Sequence, residues 1–133
     1  MKRKITLLIF ALGLATSIQA VPTPGLKKIM MQLGSDTQQI QTSLLQGSLK
    51  GVASWAMAVA DHPQVSTVEK KSIMKTLGKD IKIFKKWDVD VHQTAKKLSQ
   101  AATQGDLIAA QTQYQQMLKA CFACHDQFRD RLR

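Results

Sequence analysis

The 133 residues contain only two cysteines, three positions apart, with a histidine directly behind the second: Cys121-Phe122-Ala123-Cys124-His125. The pair falls within a run of residues, Leu107, Ala110, Tyr114, Met117, Cys121, Cys124 and Phe128, that recur at steps of three and four. Such steps mark one face of a helix. Both thiols must therefore sit on the inner flank of the last helix, with His125 one turn beyond Cys121.

C-x-x-C-H is the attachment pattern of c-type haem. Each thiol adds across one vinyl group to give a thioether, and the adjoining imidazole becomes an axial ligand of the iron. A dithiol redox pair would normally open a helix that follows a strand, and no strand pattern precedes these residues. A zinc site needs more ligands than the cluster supplies. The expected cofactor is one haem c, covalent through Cys121 and Cys124, with His125 on the metal.

The N-terminus points to the same compartment chemistry. Lys2-Arg3-Lys4 precedes an apolar run from Ile5 to Ala15, and Ser17-Ile18-Gln19-Ala20 ends on a small residue. This composition predicts a cleavable signal peptide over 1–20, too short for a comfortable membrane span; an uncleaved anchor is the alternative. Residues 21–133 then form one small domain. A periplasmic location follows, because bacterial c-type haem is attached outside the cytoplasm, and no stable membrane span is expected after cleavage.

The chain carries 19 basic and 9 acidic residues, a formal charge of +10. Loss of the three leader cations leaves 16 against 9, or +7. A basic exported protein meets acidic proteins or anionic surfaces more readily than nucleic acid, and no aromatic interleaving provides base-stacking platforms. The lysines from Lys70 to Lys97 read as a solvated face or as a docking patch.

The remaining sequence reads as helices. Pro22-Thr23-Pro24-Gly25 is a breaker cluster. Leu26, Met30, Leu33, Thr37, Ile40 and Leu44 form the seam of a first helix. Gly47 interrupts it, and Ser48 is the expected N-cap of a second helix with Leu49, Val52, Ala56 and Val59 inside. Asp61-His62-Pro63 stops that helix. Ser66-Thr67-Val68-Glu69 fits a capping box and opens a short helix to about Leu77. One helix from Thr67 to Ala102 would run about 54 Å, longer than its neighbours cover, so a break is expected at Gly78-Lys79-Asp80. A third long seam follows in Ile81, Phe84, Asp88, Val91, Ala95, Leu98 and Ala102. Gly105-Asp106 closes it and caps the last helix. The expected fold is all-α, an antiparallel four-helix bundle with covalently attached haem.

A leader, four helices and C-x-x-C-H on the final helix together resemble the class II c-type cytochromes, cytochrome c′ and its low-spin, methionine-ligated relatives. Cys121-Phe122-Ala123-Cys124-His125-Asp126-Gln127-Phe128-Arg129 is similar to the family's C-x-x-C-H-x-x-aromatic-Arg. The resemblance implies that Arg129 pairs with a haem propionate or shields the imidazole, against the plainer reading of a surface arginine at a helix C-terminus. Met30-Met31-Gln32-Leu33-Gly34 resembles the family stretch facing the distal side of the haem. It implies Met30 as the sixth ligand, the alternative being ordinary core packing. The family often has an arginine four residues earlier, where this chain has Leu26. The resemblance leaves a homodimer open, since the family commonly pairs through its first two helices.

The expected function is single-electron transfer, with His125 and Met30 as axial ligands, a redox partner of acidic character and no enzymatic turnover. A five-coordinate protein binding nitric oxide or carbon monoxide is the alternative. A bundle without haem that takes up metal or binds a membrane through its lysines is a third. His92, one turn after Asp88, is expected at the helix surface, oriented by that carboxylate; His62 belongs to a helix stop. Trp55 and Trp87 are expected in the core or at the pocket wall, and Tyr114 in packing.

Overall fold

The computed structural model describes residues 24–133; the expected leader lies outside the described residues. Five helices follow in order: α1 (Leu26–Leu45), α2 (Leu49–Ala60), α3 (Thr67–Leu77), α4 (Ile81–Thr103) and α5 (Leu107–Phe128). A 3-10 turn, Gly78–Asp80, joins α3 to α4, and another, Arg129–Arg131, ends the helical chain. None of the described residues is in a strand, so the all-α expectation holds.

α1, α2, α4 and α5 form the bundle, and α3 is the short connecting helix. α1 packs on α2, α2 on α4 and α4 on α5, whereas the backbones of α1 and α5 scarcely approach. The fourth side of the bundle is therefore open. Antiparallel direction is legible in two long-range hydrogen bonds: the Ser99 hydroxyl donates to the Ala53 carbonyl at 2.9 Å, and His92 Nδ1 pairs with the Ala60 carbonyl.

Both helix–helix connectors have one design. Gly47 and Gly105 adopt φ of +69° and +80°, which costs little without a Cβ. The residue after each glycine reaches back, Ser48 to the Ser43 carbonyl at 2.9 Å and Asp106 to the Ala101 carbonyl at 3.0 Å. That satisfies carbonyls left orphaned by the helix end. The same residue then caps the next helix: Ser48 accepts from Gly51 N at 3.3 Å and Asp106 from Ala109 N at 2.9 Å. Gly78, at φ +55°, supplies the expected break.

The capping box at α3 is only half formed. Ser66 accepts from Glu69 N at 3.2 Å. The Glu69 carboxylate instead accepts from Leu26 N at 2.9 Å, so it caps the start of α1 and ties that end to α3.

The core divides in two. The larger cluster joins Ile40 of α1, Val52, Ala56 and Val59 of α2, Ala95 and Leu98 of α4, and Ala110 and Met117 of α5. The smaller one, Ile73, Leu77 and Phe128, gathers half-buried Leu26, Phe84, Trp87 and Cys124.

Three expected faces need correction. In α1 the buried residues are Ile29, Asp36, Ile40 and Ser43, while Met30 is 37 % exposed. Of the expected seam, Ile40 is fully buried, and Leu26, Leu33 and Leu44 are partly buried against the core. Asp88 is exposed, and the fully buried part of α4 begins at Ala95. Trp55 is 38 % exposed rather than a core residue.

Candidate functional site

The two thiols are placed by the helical repeat. Both are free and half-buried on the inner flank of α5. Cys124 packs against the Ile73–Leu77–Phe128 cluster. Tyr114, two turns before Cys121, packs against the larger cluster as expected. Its phenol is raised above its ordinary value by burial and then by Cys121.

The electrostatics argue against a redox dithiol. Burial, then the nearby Asp88 carboxylate, then Cys121 push the Cys124 thiol up to about 11. Burial also raises Cys121. A catalytic cysteine needs the opposite, an environment that favours the thiolate. These are neutral, sheltered thiols next to an apolar wall.

His125 is exposed on α5, and Arg129 lies one turn further. Both line a shallow surface depression with Phe122, Ala123 and Asp126. Arg129 makes only a long ionic approach to Asp130, 3.9 Å, so its guanidinium is uncommitted. Met30 stands apart on α1. It follows Leu26, which packs on the smaller cluster, and precedes Leu33, which packs on the larger. Cys121, Cys124 and His125 are thus assembled on α5 with Arg129 in the turn that follows, and Met30 stands on α1.

The surroundings fit a haem. An apolar wall of Phe84, Trp87 and Phe128 flanks Cys124, with Phe84 and Phe128 in edge contact at 5.6 Å. The neighbouring side of the bundle is not closed by α1 and α5. Trp87 Nε1 is buried without a hydrogen-bond partner, a donor that native proteins ordinarily satisfy.

One functional-end residue escaped sequence reasoning. Arg131 donates to Asp80 Oδ2 at 2.9 Å and approaches the carbonyls of Thr76 and Leu77 at 3.4 Å. It also lies 5.7 Å from the Phe128 ring centroid. Arg131 therefore locks the end of the cysteine-bearing helix to the α3–α4 junction. Nothing in local spacing marks it, because its partners are about fifty residues away.

A four-helix bundle with C-x-x-C-H on its last helix defines a class, the bundle-type c-type haem proteins. The family described as "Cytochrome C′" matches residues 25–129, across all five helices. The chain belongs to the cytochrome c′ family, whose members bind haem c. No curated protein and no solved structure matches it. Among the described residues no helix is long and apolar enough to cross a membrane.

Proposed function

We propose that this chain is a periplasmic electron carrier with one haem c, held through Cys121 and Cys124, and His125 and Met30 as axial ligands. When bound, the haem supplies reversible one-electron chemistry at iron. The protein's share is placement and shelter. Cys121 and Cys124, on one helical flank, would hold the haem through two thioethers, and the His125 imidazole follows on the same helix. Phe84, Trp87 and Phe128 keep water from one side. The free guanidinium of Arg129, one turn past His125, suits a propionate or covers the imidazole.

The observation that carries this reading is Met30 at 37 % exposure, between Leu26 and Leu33, which pack on the two core clusters. A core-filling methionine would be covered by protein. Here the side chain is not enclosed by the core, which leaves its thioether able to serve as a ligand. Met30→Ala tests it. The parent should have a low-spin ferric spectrum, and the variant a high-spin one. An unchanged spectrum removes Met30 from the iron.

The same openness favours a second reading, a protein that binds nitric oxide or carbon monoxide at an empty or easily vacated sixth position. A parent that is already high-spin and shifts at once with nitric oxide would support it over electron transfer.

The partner follows from charge. The sequence without its leader has a formal charge of +7. Among the lysines of the described residues, Lys86 alone forms an ion pair, with Asp90 at 2.6 Å. The others remain free to steer an acidic redox partner. We assign no enzymatic turnover, because the site presents no nucleophile–base arrangement.

A further inference from the structure

A second group of metal-ligating side chains lies outside the thiol site. His62, from the segment linking α2 to α3, stacks on His92 of α4, with ring centroids 4.6 Å apart and planes 27° from parallel. Asp88 stands one turn before His92 on the same helix, its Oδ1 3.8 Å from His92 Nε2. One ligand atom from each of His62, Asp88 and His92 lies within 4.8 Å of the others. The cluster brings together two elements separated by some twenty-five residues of sequence.

Two backbone carbonyls fix which nitrogen of each ring carries the proton. His92 Nδ1 pairs with the Ala60 carbonyl, and His62 Nδ1 pairs with the Pro63 carbonyl at 2.9 Å. A carbonyl oxygen only accepts, so each Nδ1 must carry the proton it donates. In the neutral ring this leaves Nε2 as a bare lone pair. Metal-binding histidines are characteristically fixed in this way by a carbonyl or carboxylate on the other nitrogen. The sequence-based expectation that Asp88 orients His92 is thereby corrected. Asp88 is beyond hydrogen-bond distance, the Ala60 carbonyl holds the ring, and the carboxylate is left free.

We propose that His62, Asp88 and His92 form a binding site for one divalent late transition-metal ion, for which Zn2+ and Cu2+ are the probes. Two imidazoles and one carboxylate suit Zn2+ and Cu2+ and do not suit Mg2+ or Ca2+, which take oxygen ligands. Bonds of about 2.0–2.2 Å place ligand atoms on one ion roughly 3–4 Å apart. Small side-chain rotations bring the observed spacing to that value, and His62 sits on a non-helical connector that permits them. Three protein ligands leave further positions for water. The site does not depend on the proposed electron-carrier role.

The test uses the mature haem protein after treatment with a chelator. The chain has three histidines, and His125 is not part of the His62–Asp88–His92 cluster. Calorimetric titration should show one Zn2+ per chain and no uptake of Mg2+. Electron paramagnetic resonance after adding Cu2+ should show coupling to two imidazole nitrogens. His62→Gln and Asp88→Asn, both at positions in contact with solvent, should each weaken Zn2+ binding by at least about 10-fold with unchanged helical circular dichroism, and His62→Gln should also leave the haem spectrum unchanged. Absence of Zn2+ uptake by the parent overturns the proposal. So does equal affinity in either well-folded variant.

Discussion

At the scale of single residues, Asp88 links two features of this protein. It belongs to the histidine cluster, and its charge helps to raise the Cys124 thiol to about 11. The thiolate is the reactive form, so Cys124 in the folded chain lacking haem should alkylate more slowly at pH 8 than an ordinary cysteine. Its rate should climb as pH rises toward 11. Asp88→Asn removes a negative charge that opposes ionisation, so the thiol should ionise at lower pH and alkylate faster. Rates with iodoacetamide, resolved by peptide mass, check this; no acceleration in Asp88→Asn would mean that burial and Cys121 set the shift without Asp88. Arg129 makes a similarly local claim. Arg129→Ala should alter the haem spectrum or potential while leaving the unfolding midpoint nearly unchanged, because its only ionic contact is exposed and long. A large loss of stability with no haem effect would make it a structural arginine.

The helices raise questions of contact and capping. At the crossing of α1 and α2, a Cβ built on Gly51 would stand 2.6 Å from Ser43 Oγ and 3.1 Å from Ser43 Cβ. Alanine is a poor probe there, since its helix-propensity gain of about 1 kcal/mol offsets part of the overlap. Gly51→Leu cannot be accommodated by one hydroxyl rotation and should destabilise by about 1–3 kcal/mol, read from urea unfolding. Glu69→Ala removes the carboxylate that accepts from Leu26 N and should cost about 1 kcal/mol, the usual loss of a cap. These elements also mark how far the sequence could be read. The stops at Gly47, Pro63, Gly78 and Gly105 are local chemistry, and each appears where turn residues placed it. The caps of Ser48 and Asp106 are local too. Glu69 was misassigned because its nearer donor, in the capping box, lost to a backbone N–H brought close only by the fold. Met30 was placed in the seam because periodicity fixes a helix's apolar stripe without saying which neighbours cover it. In α1 the expected Ile40 is buried, but Ile29, Asp36 and Ser43 are covered as well and Met30 is not. The inward placement of the two thiols is legible because helical spacing is a local property of five consecutive residues. The histidine cluster was not, since His62 and His92 meet only when α2 and α4 pack.

For the molecule as a whole, the divided core, the open side between α1 and α5 and the basic surface fit one picture, a bundle completed by a group anchored on its last helix. The excess of positive charge should make electron transfer to an acidic partner fall as ionic strength rises. A rate indifferent to salt would exclude lysine-guided docking. The same picture requires haem to add stability, since an attached group fills space the side chains leave. Cys121→Ala with Cys124→Ala should therefore lower the thermal midpoint as well as remove colour. Most direct is the intact mass of the mature protein, made in a host whose maturation machinery demonstrably loads a control cytochrome. The account predicts the mass of the polypeptide plus one covalent haem, together with the absorption of a c-type cytochrome after denaturation. A colourless product at the bare polypeptide mass would contradict it.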